Sequence, residues 1–349
     1  MNWSRDWELG VRMAVTLGLL AIVTCVLVVA LFGTVLLAVT WIIVVFEMNP
    51  VPPSVSREIA GVMTCIIIGV IIYVEFSGQT PVLRGLDTQS VDRMETEHSE
   101  LLDRTVERLA QQADLPVPSV VVADTPVPNS YTSGLLSQQA TIVVTTGLLE
   151  KLDPEELRAV LAHELAHVKH RDAAVMTVAS VPLQIAQSIH EWTDDQRNTK
   201  RKSTSSENNN GSTFMLNVCY MISGAFWLVG RLLFHLLSRY RELAADRGAI
   251  ALTGSPAALA SALETISAQH QSLPREDLRS ADGSIQAFAV VPVETEPLEE
   301  PIRLGPNGDQ IPTHNQYEYL IQKKMAPFLA THPSVERRRE QLQDIETEL

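Results

Sequence analysis

The chain has 349 residues, enough for one sizeable folded domain plus membrane segments. Its formal net charge of -14, from 41 acidic and 27 basic residues, argues against nucleic acid as a partner. Three cysteines offer no paired framework, so no disulfide scaffold is expected; only six of the 27 basic residues are lysine, which hints at a high-salt habitat.

From Val11 to Phe46 only Arg12 is charged, a run longer than the ~20 residues that one membrane span requires. It is also too long for the apolar core of a cleaved signal peptide. Asn49-Pro50-Val51-Pro52-Pro53 is a turn-forming stretch, and a second apolar run follows from Ile59 to Phe76. Residues 1–86 therefore read as a transmembrane hairpin with spans at about 12–46 and 59–76. Arg5 and Arg12 precede it, Arg84 and Arg93 follow it, and only Arg57 lies in its loop. The positive-inside rule puts both ends, and the region after them, in the cytoplasm.

Glu97 to Gln112 reads as an amphipathic helix and Ser119 to Ala123 as a strand. A turn over residues 124–129 leads to Ser130-Tyr131-Thr132-Ser133-Gly134 and then to the β-branched run from Ala140 to Thr146. A small antiparallel sheet is expected. Its edge strand, Asn129, Ser130, Tyr131 and Thr132, is a candidate to pair with an extended peptide, with a purely structural sheet as the other reading.

Asp153-Pro154-Glu155-Glu156 is a helix start: an Asp N-cap, Pro at the first helical position and Glu at the third. Leu157, Val160, Leu161, Leu165 and Val168 recur at helical spacing, so His163-Glu164-Leu165-Ala166-His167 lies on a helix. Histidines four apart share a helix face and can converge on one metal ion. Glu164 sits on the flank of that face, within reach of a water on the metal. This H-E-x-x-H pattern is the core of a zinc hydrolase, in which the metal acidifies water and the glutamate takes its proton.

A third ligand is needed. Cys25, Cys65 and Cys219 lie in apolar segments and are poor candidates. Glu242 and Asp246 share a helix face; Glu242 is placed to bind the metal and Asp246 to accept the second ring N–H of a ligand histidine. A solvated acidic face beside Arg239, Arg241 and Arg247 is an equal alternative.

Two further apolar segments, 173–189 and 213–237, flank these residues, with a polar loop over 190–212. They are expected either to span the membrane or to lie against it as an amphipathic pair, because the loop carries Arg197, Lys200, Arg201 and Lys202 against the positive-inside rule. Five or six helical residues cover about 8 to 9 Å, so both halves of the metal site are expected near the membrane surface.

At this point the chain resembles the HtpX-type membrane zinc proteases, relatives of the CAAX prenyl endopeptidases. The resemblance rests on the N-terminal hairpin, Pro128-Asn129 and the strand after it, Val144 to Leu149, and His163 to Asp172. It continues through Glu242 to Asp246, Pro256 to Glu264, and Thr331-His332-Pro333-Ser334 with Arg337 or Arg338. It implies an endopeptidase facing the cytoplasm, one Zn2+ per subunit on His163, His167 and Glu242, Glu164 as general base, and a part in quality control of membrane proteins. It also places His332 near the active site, where it would donate to the oxyanion or simply form a turn. Where the family often has Asn-Ala-Phe-Ala, this chain has Asn129-Ser130-Tyr131-Thr132, which bears on substrate preference. Residues 294–319 form an acidic insertion.

The expected fold class is thus mainly α (α+β): multi-pass membrane helices with a cytoplasmic zincin-type catalytic domain carrying a small antiparallel sheet. The catalytic domain is expected in two parts, 87–172 and 238–349, separated by the membrane segments of 173–237. Protein substrates, among them membrane proteins, and the lipid bilayer are the expected partners. A zinc-binding scaffold without activity is a rival that Glu164 argues against, since zinc binding does not need that carboxylate; a CAAX-type prenyl-peptide endopeptidase is another.

Overall fold

The computed structural model describes residues 7–45, 52–78, 88–90, 97–134, 136–202, 210–272 and 332–348. The acidic insertion 294–319 and Thr331 lie outside the described residues. Two compact units are present, one of residues 1–13, 81–176 and 235–349 and the other of residues 14–80 and 177–234.

The second unit is helical. Its residues come from α1 (Trp7–Val45), α2 (Pro53–Gly78), α6 (Asp172–Lys202) and α7 (Asn210–Thr253). Leu27, Ile185 and Ala186 form a small core with Phe226 and Trp227. The His190 ring stacks on Tyr220 at 4.3 Å, and Gly224 leaves room for it, because a Cβ there would lie 2.9 Å from the imidazole. Among the described residues two helical stretches are long and apolar enough to cross a membrane, Trp7–Leu37 and Leu216–Thr253. α6 continues as helix through Lys202, into the segment expected as a polar loop; Glu191 to Lys202 contains neither Pro nor Gly to stop it. Residues 203–209 of that loop lie outside the described residues.

The first unit carries a four-stranded sheet: β1 (Thr88–Ser90), β2 (Ser119–Ala123), β3 (Ser130–Ser133) and β4 (Thr141–Thr145), in the order β1-β2-β4-β3. The sheet is mixed, which corrects the antiparallel arrangement expected from sequence. β3 turns back as a hairpin partner of β4 but occupies the outer position, so β4 lies beside β2 and runs parallel to it. Gly134, at φ +108°, takes a backbone shape that other residues avoid as the chain leaves β3.

Helices α3 (Glu97–Gln112), α4 (Thr146–Lys151), α5 (Pro154–His170), α8 (Pro256–Ser272) and α9 (Val335–Glu348) share one core with the sheet. Alternation along β4 sends Ile142 and Val144 into the main core with Leu102 and Leu109 of α3, Leu161 and Leu165 of α5, and Leu259 and Leu263 of α8. Val143 faces the other way, with Tyr131 and Ala123. Fully burying one such leucine contributes about 1.5–3 kcal/mol, so this core firmly seats α5.

The start of α5 is a complete capping box. The Asp153 carboxylate accepts from the backbone N–H groups of Glu155 and Glu156, and the Glu156 carboxylate accepts from the Asp153 N–H. Its end is unusual: Arg171 adopts a left-handed conformation, φ 55° and ψ 39°, for a single residue, and α6 begins at Asp172. That conformation costs a non-glycine residue roughly 1–2 kcal/mol.

Candidate metal centre and active site

Glu164 and His163 are almost wholly buried on α5, and Glu242 and Asp246 are buried on α7. The imidazole rings of His163 and His167 stand perpendicular, with their Nε2 atoms 3.1 Å apart. Glu242 closes the triangle, its Oε2 lying 3.5 Å from His163 Nε2 and its Oε1 3.7 Å from His167 Nε2. One ligand atom from each of the three residues lies within 4.8 Å of the others. Nitrogens bound to one tetrahedral ion at about 2.0–2.1 Å stand roughly 3.4 Å apart, so the triangle has the right size. Glu242 Oε2 is also buried without a hydrogen-bond partner, as expected of an oxygen set aside for a cation. The residues present therefore fit a metal ion.

Each histidine is held through its other nitrogen. His163 Nδ1 lies 2.9 Å from Asp246 Oδ1, and His167 Nδ1 lies 2.6 Å from Asp172 Oδ2. Each aspartate is in turn held by an arginine. Arg338 of α9 donates from Nε to Asp246 Oδ2 at 2.8 Å and from Nη2 to Oδ1 at 2.5 Å. Arg241 Nε lies 3.1 Å from Asp172 Oδ2. These contacts direct Nε2 of both rings towards the common point and fix their tautomers.

The electrostatics match an anionic cage. Burial opposes ionisation of Glu242, yet the neighbouring histidines His332, His167 and His163 hold its carboxyl well below the usual range. Asp246 is likewise lowered against burial, by Arg338 and His163, and Asp172 by His167 and Arg241. Burial pulls the His163 imidazole down, but the Asp246 and Glu242 carboxylates more than offset it and lift it to about 9. With no metal, a proton is the cation the cage attracts.

His332, just ahead of α9, is buried with Nδ1 3.5 Å from Glu242 Oε2 and no hydrogen bond at either ring nitrogen. The expected peptide-docking strand lies beside the carboxylate: Ser130 Oγ donates to Glu164 Oε1 at 2.8 Å and Thr132 Oγ1 to Oε2 at 2.6 Å. Asn129 accepts from the Ser130 N–H through its side chain, and Tyr131 turns to the opposite face. A cleft lined by Thr132, Leu136, Val168 and Arg171 opens at His167 and Glu242. His170, expected on the exposed side of the helix, is only half-buried.

Sequence reasoning did not single out Asp172, Arg241 or the contacts of Ser130 and Thr132 with Glu164. For Asp172 a signal existed: an acidic residue five positions after the second histidine.

Known proteins are similar over most of the chain. The profile of Peptidase family M48 matches residues 97–346. A protease HtpX homolog of Moorella thermoacetica is 40% identical over 252 residues, 71% of this chain and 73% of that protein. A protease HtpX homolog 2 of Methanosarcina mazei is 37% identical over 247 residues, 70% and 72% of the two chains. A protease HtpX homolog 1 of Streptomyces coelicolor is 37% identical over 256 residues, 73% and 74%. The crystal structure of S. mikatae Ste24p aligns with a TM-score of 0.40 at 18% identity over 92% of this chain and 64% of that one, too distant to bear on activity. The protein belongs to peptidase family M48, among the HtpX-type membrane metalloproteases.

Proposed function

We propose that this metalloprotease is a zinc-dependent endopeptidase that hydrolyses peptide bonds of misfolded or membrane proteins. We place it in the cell membrane through several helices, its catalytic unit on the cytoplasmic side. The observation that carries the zinc reading is the convergence of His163, His167 and Glu242, with Glu164 adjacent on the same helix. The donor set, two imidazole nitrogens and a carboxylate, is the type found in catalytic zinc hydrolases, which keep one position open. The orientation rests on the placement of arginines around the N-terminal apolar hairpin.

Zinc, when bound, supplies Lewis acidity towards the scissile carbonyl and lowers the pKa of water. The chain's own residues do the rest. His163, His167 and Glu242 are the ligands, and Asp246 and Asp172 orient the two rings. Glu164 takes a proton from the attacking water and delivers it to the leaving amine nitrogen as the C–N bond breaks. His332, buried beside Glu242, is placed to donate to the carbonyl oxygen as negative charge develops there. Among the described residues β3 is the outer strand of the sheet, with no strand beyond it, an arrangement that suits an extended peptide.

The test compares the wild type with Glu164→Gln in detergent, measuring bound metal and cleavage of an unfolded, unmodified test protein. The proposal expects equal zinc in both and cleavage by the wild type alone. Zinc binding with no cleavage by either protein would instead favour a scaffold, and cleavage confined to prenylated peptides would favour the CAAX-type activity.

A further inference from the structure

We infer that β3 is a brace for the catalytic carboxylate as well as a docking strand: Ser130 and Thr132 are positioning residues that hold Glu164 in the orientation its work requires. This rests on the reading of Glu164 as general base.

The argument begins with strand periodicity. Residues two apart share a face, so Ser130 and Thr132 point together while Tyr131 points away. In the β3–β4 register Ser130 faces Val144 and Thr132 faces Ile142, and both of these aliphatic residues pack in the core with α5. Positions beside such neighbours ordinarily hold apolar side chains. Here they hold two hydroxyls, and Ser130 is fully buried. A buried hydroxyl is tolerated when it finds a partner, and both find the same one.

The geometry is two-pointed. One hydroxyl reaches each carboxylate oxygen, so rotation of the Glu164 carboxylate about its terminal bond would break both contacts at once. Thr132 adds stiffness through its β-branched side chain. Glu164 itself is 1% exposed, so little solvent is available to orient it instead. An ionised carboxylate has about four acceptor positions. Two hydroxyls leave the others open to water, which is what a braced but working base needs. Since, among the described residues, no strand pairs with β3 on the side away from β4, a peptide pairing there engages the strand that holds the base.

The decisive comparison uses full-length, zinc-loaded protein in detergent with an unmodified fluorogenic peptide. The variants are Thr132→Val, which keeps shape and removes the hydroxyl, Thr132→Ser, which keeps the hydroxyl, Ser130→Ala and Glu164→Gln. Misorientation of a reacting group lowers kcat far more than binding, so Thr132→Val and Ser130→Ala each lose about tenfold in kcat, with KM changed less than about twofold. Zinc content stays at the wild-type level, and Thr132→Ser recovers most of the lost rate. In metal-free protein, Thr132→Val and Glu164→Gln give non-additive shifts in the unfolding midpoint, as residues in contact do.

Unchanged or increased kcat in Thr132→Val and Ser130→Ala, or no recovery in Thr132→Ser, overturns the brace. A loss carried by KM alone also overturns it. If Thr132→Val does not fold, Ser130→Ala and Thr132→Ser carry the same comparison. Undiminished cleavage by Glu164→Gln would instead overturn the role of the base itself, a separate outcome.

Discussion

The two histidines of the candidate metal centre, His163 and His167, are held by the same device built in two ways. On one side Asp246 grips His163 and Arg338 grips Asp246; on the other Asp172 grips His167 and Arg241 grips Asp172. The first chain joins α5, α7 and α9, with Asp246 and Arg338 92 positions apart in sequence. The second begins locally, with His167 and Asp172 five residues apart across the left-handed turn at Arg171. The remote clamp is the more buried: the His163 side chain is 0% exposed and that of His167 12%. Local geometry can therefore preset the His167–Asp172 contact, whereas the His163 side needs α7 to supply Asp246 and the C-terminal helix to supply Arg338.

The largest expected effect comes from breaking the remote clamp. Arg338→Ala leaves Asp246 buried without its two guanidinium bonds, and removal of one partner from a buried ion pair costs about 3–5 kcal/mol. Arg241→Ala removes one contact to an aspartate that keeps His167, and is expected to cost about 1–3 kcal/mol. Chemical denaturation of both variants in the metal-free state would measure the difference. Equal losses would erase the contrast between the clamps.

Next in size are Asp246→Asn and Asp172→Asn, each expected to weaken metal binding by about 10- to 100-fold, the usual consequence of disturbing a ligand histidine's partner. The more buried His163 side should show the larger loss in a competition titration with a chelator.

The pH dependence sharpens the same contrast. In the metal-free protein the protonated His163 is stabilised by Asp246 and Glu242 against the pull of burial, so its pKa rises from 6.5 to about 9. A raised folded-state pKa contributes stability that is complete below 6.5 and is lost as pH climbs towards 9. The metal-loaded protein, whose ligand histidines must be unprotonated at the binding nitrogen, should lack this loss. Melting curves across that range, with and without zinc, test it; parallel curves would count against the reading.

The smallest effect is expected at the turn of the local clamp. Arg171→Gly relieves roughly 1–2 kcal/mol of left-handed strain but returns about 0.5–1 kcal/mol through the freer unfolded chain. Stability should rise by about 1 kcal/mol or less, with metal affinity unchanged. A large drop in affinity would mean that the Arg171 side chain itself serves the site.

How much of this was legible depends on the range of the interaction. The H-E-x-x-H helix could be read because capping and helical periodicity are local: Asp153, Pro154 and Glu156 mark its start, and the repeat of leucines and valines sets its phase. Glu242 and Asp246 could be paired by their spacing, although nothing in the sequence alone chose between ligands and a solvated face. The sequence also left the choice between Arg337 and Arg338 open. Helix phase turns Arg338 inward to Asp246, leaves Arg337 exposed and gives Arg339 an exposed pair with Glu264. Asp172 escaped notice because a left-handed arginine carries no sequence signature comparable to that of glycine. Ser130 and Thr132 read as a mild change of substrate strand, because a period of two says which residues share a face but not what that face meets.

By itself the sequence determined the elements whose causes are local: the apolar helices, the capped active helix, the β-branched strands and the four-residue spacings that align ligating side chains. Backbone hydrogen bonding and side-chain periodicity act over a few residues, so these features need no partner to be recognised. Only the tertiary structure decided the mixed strand order, the inward face of β3 and the convergence of α5, α7 and α9 on one buried centre. Those depend on which surfaces exclude water from one another across long stretches of chain, and no local pattern encodes that.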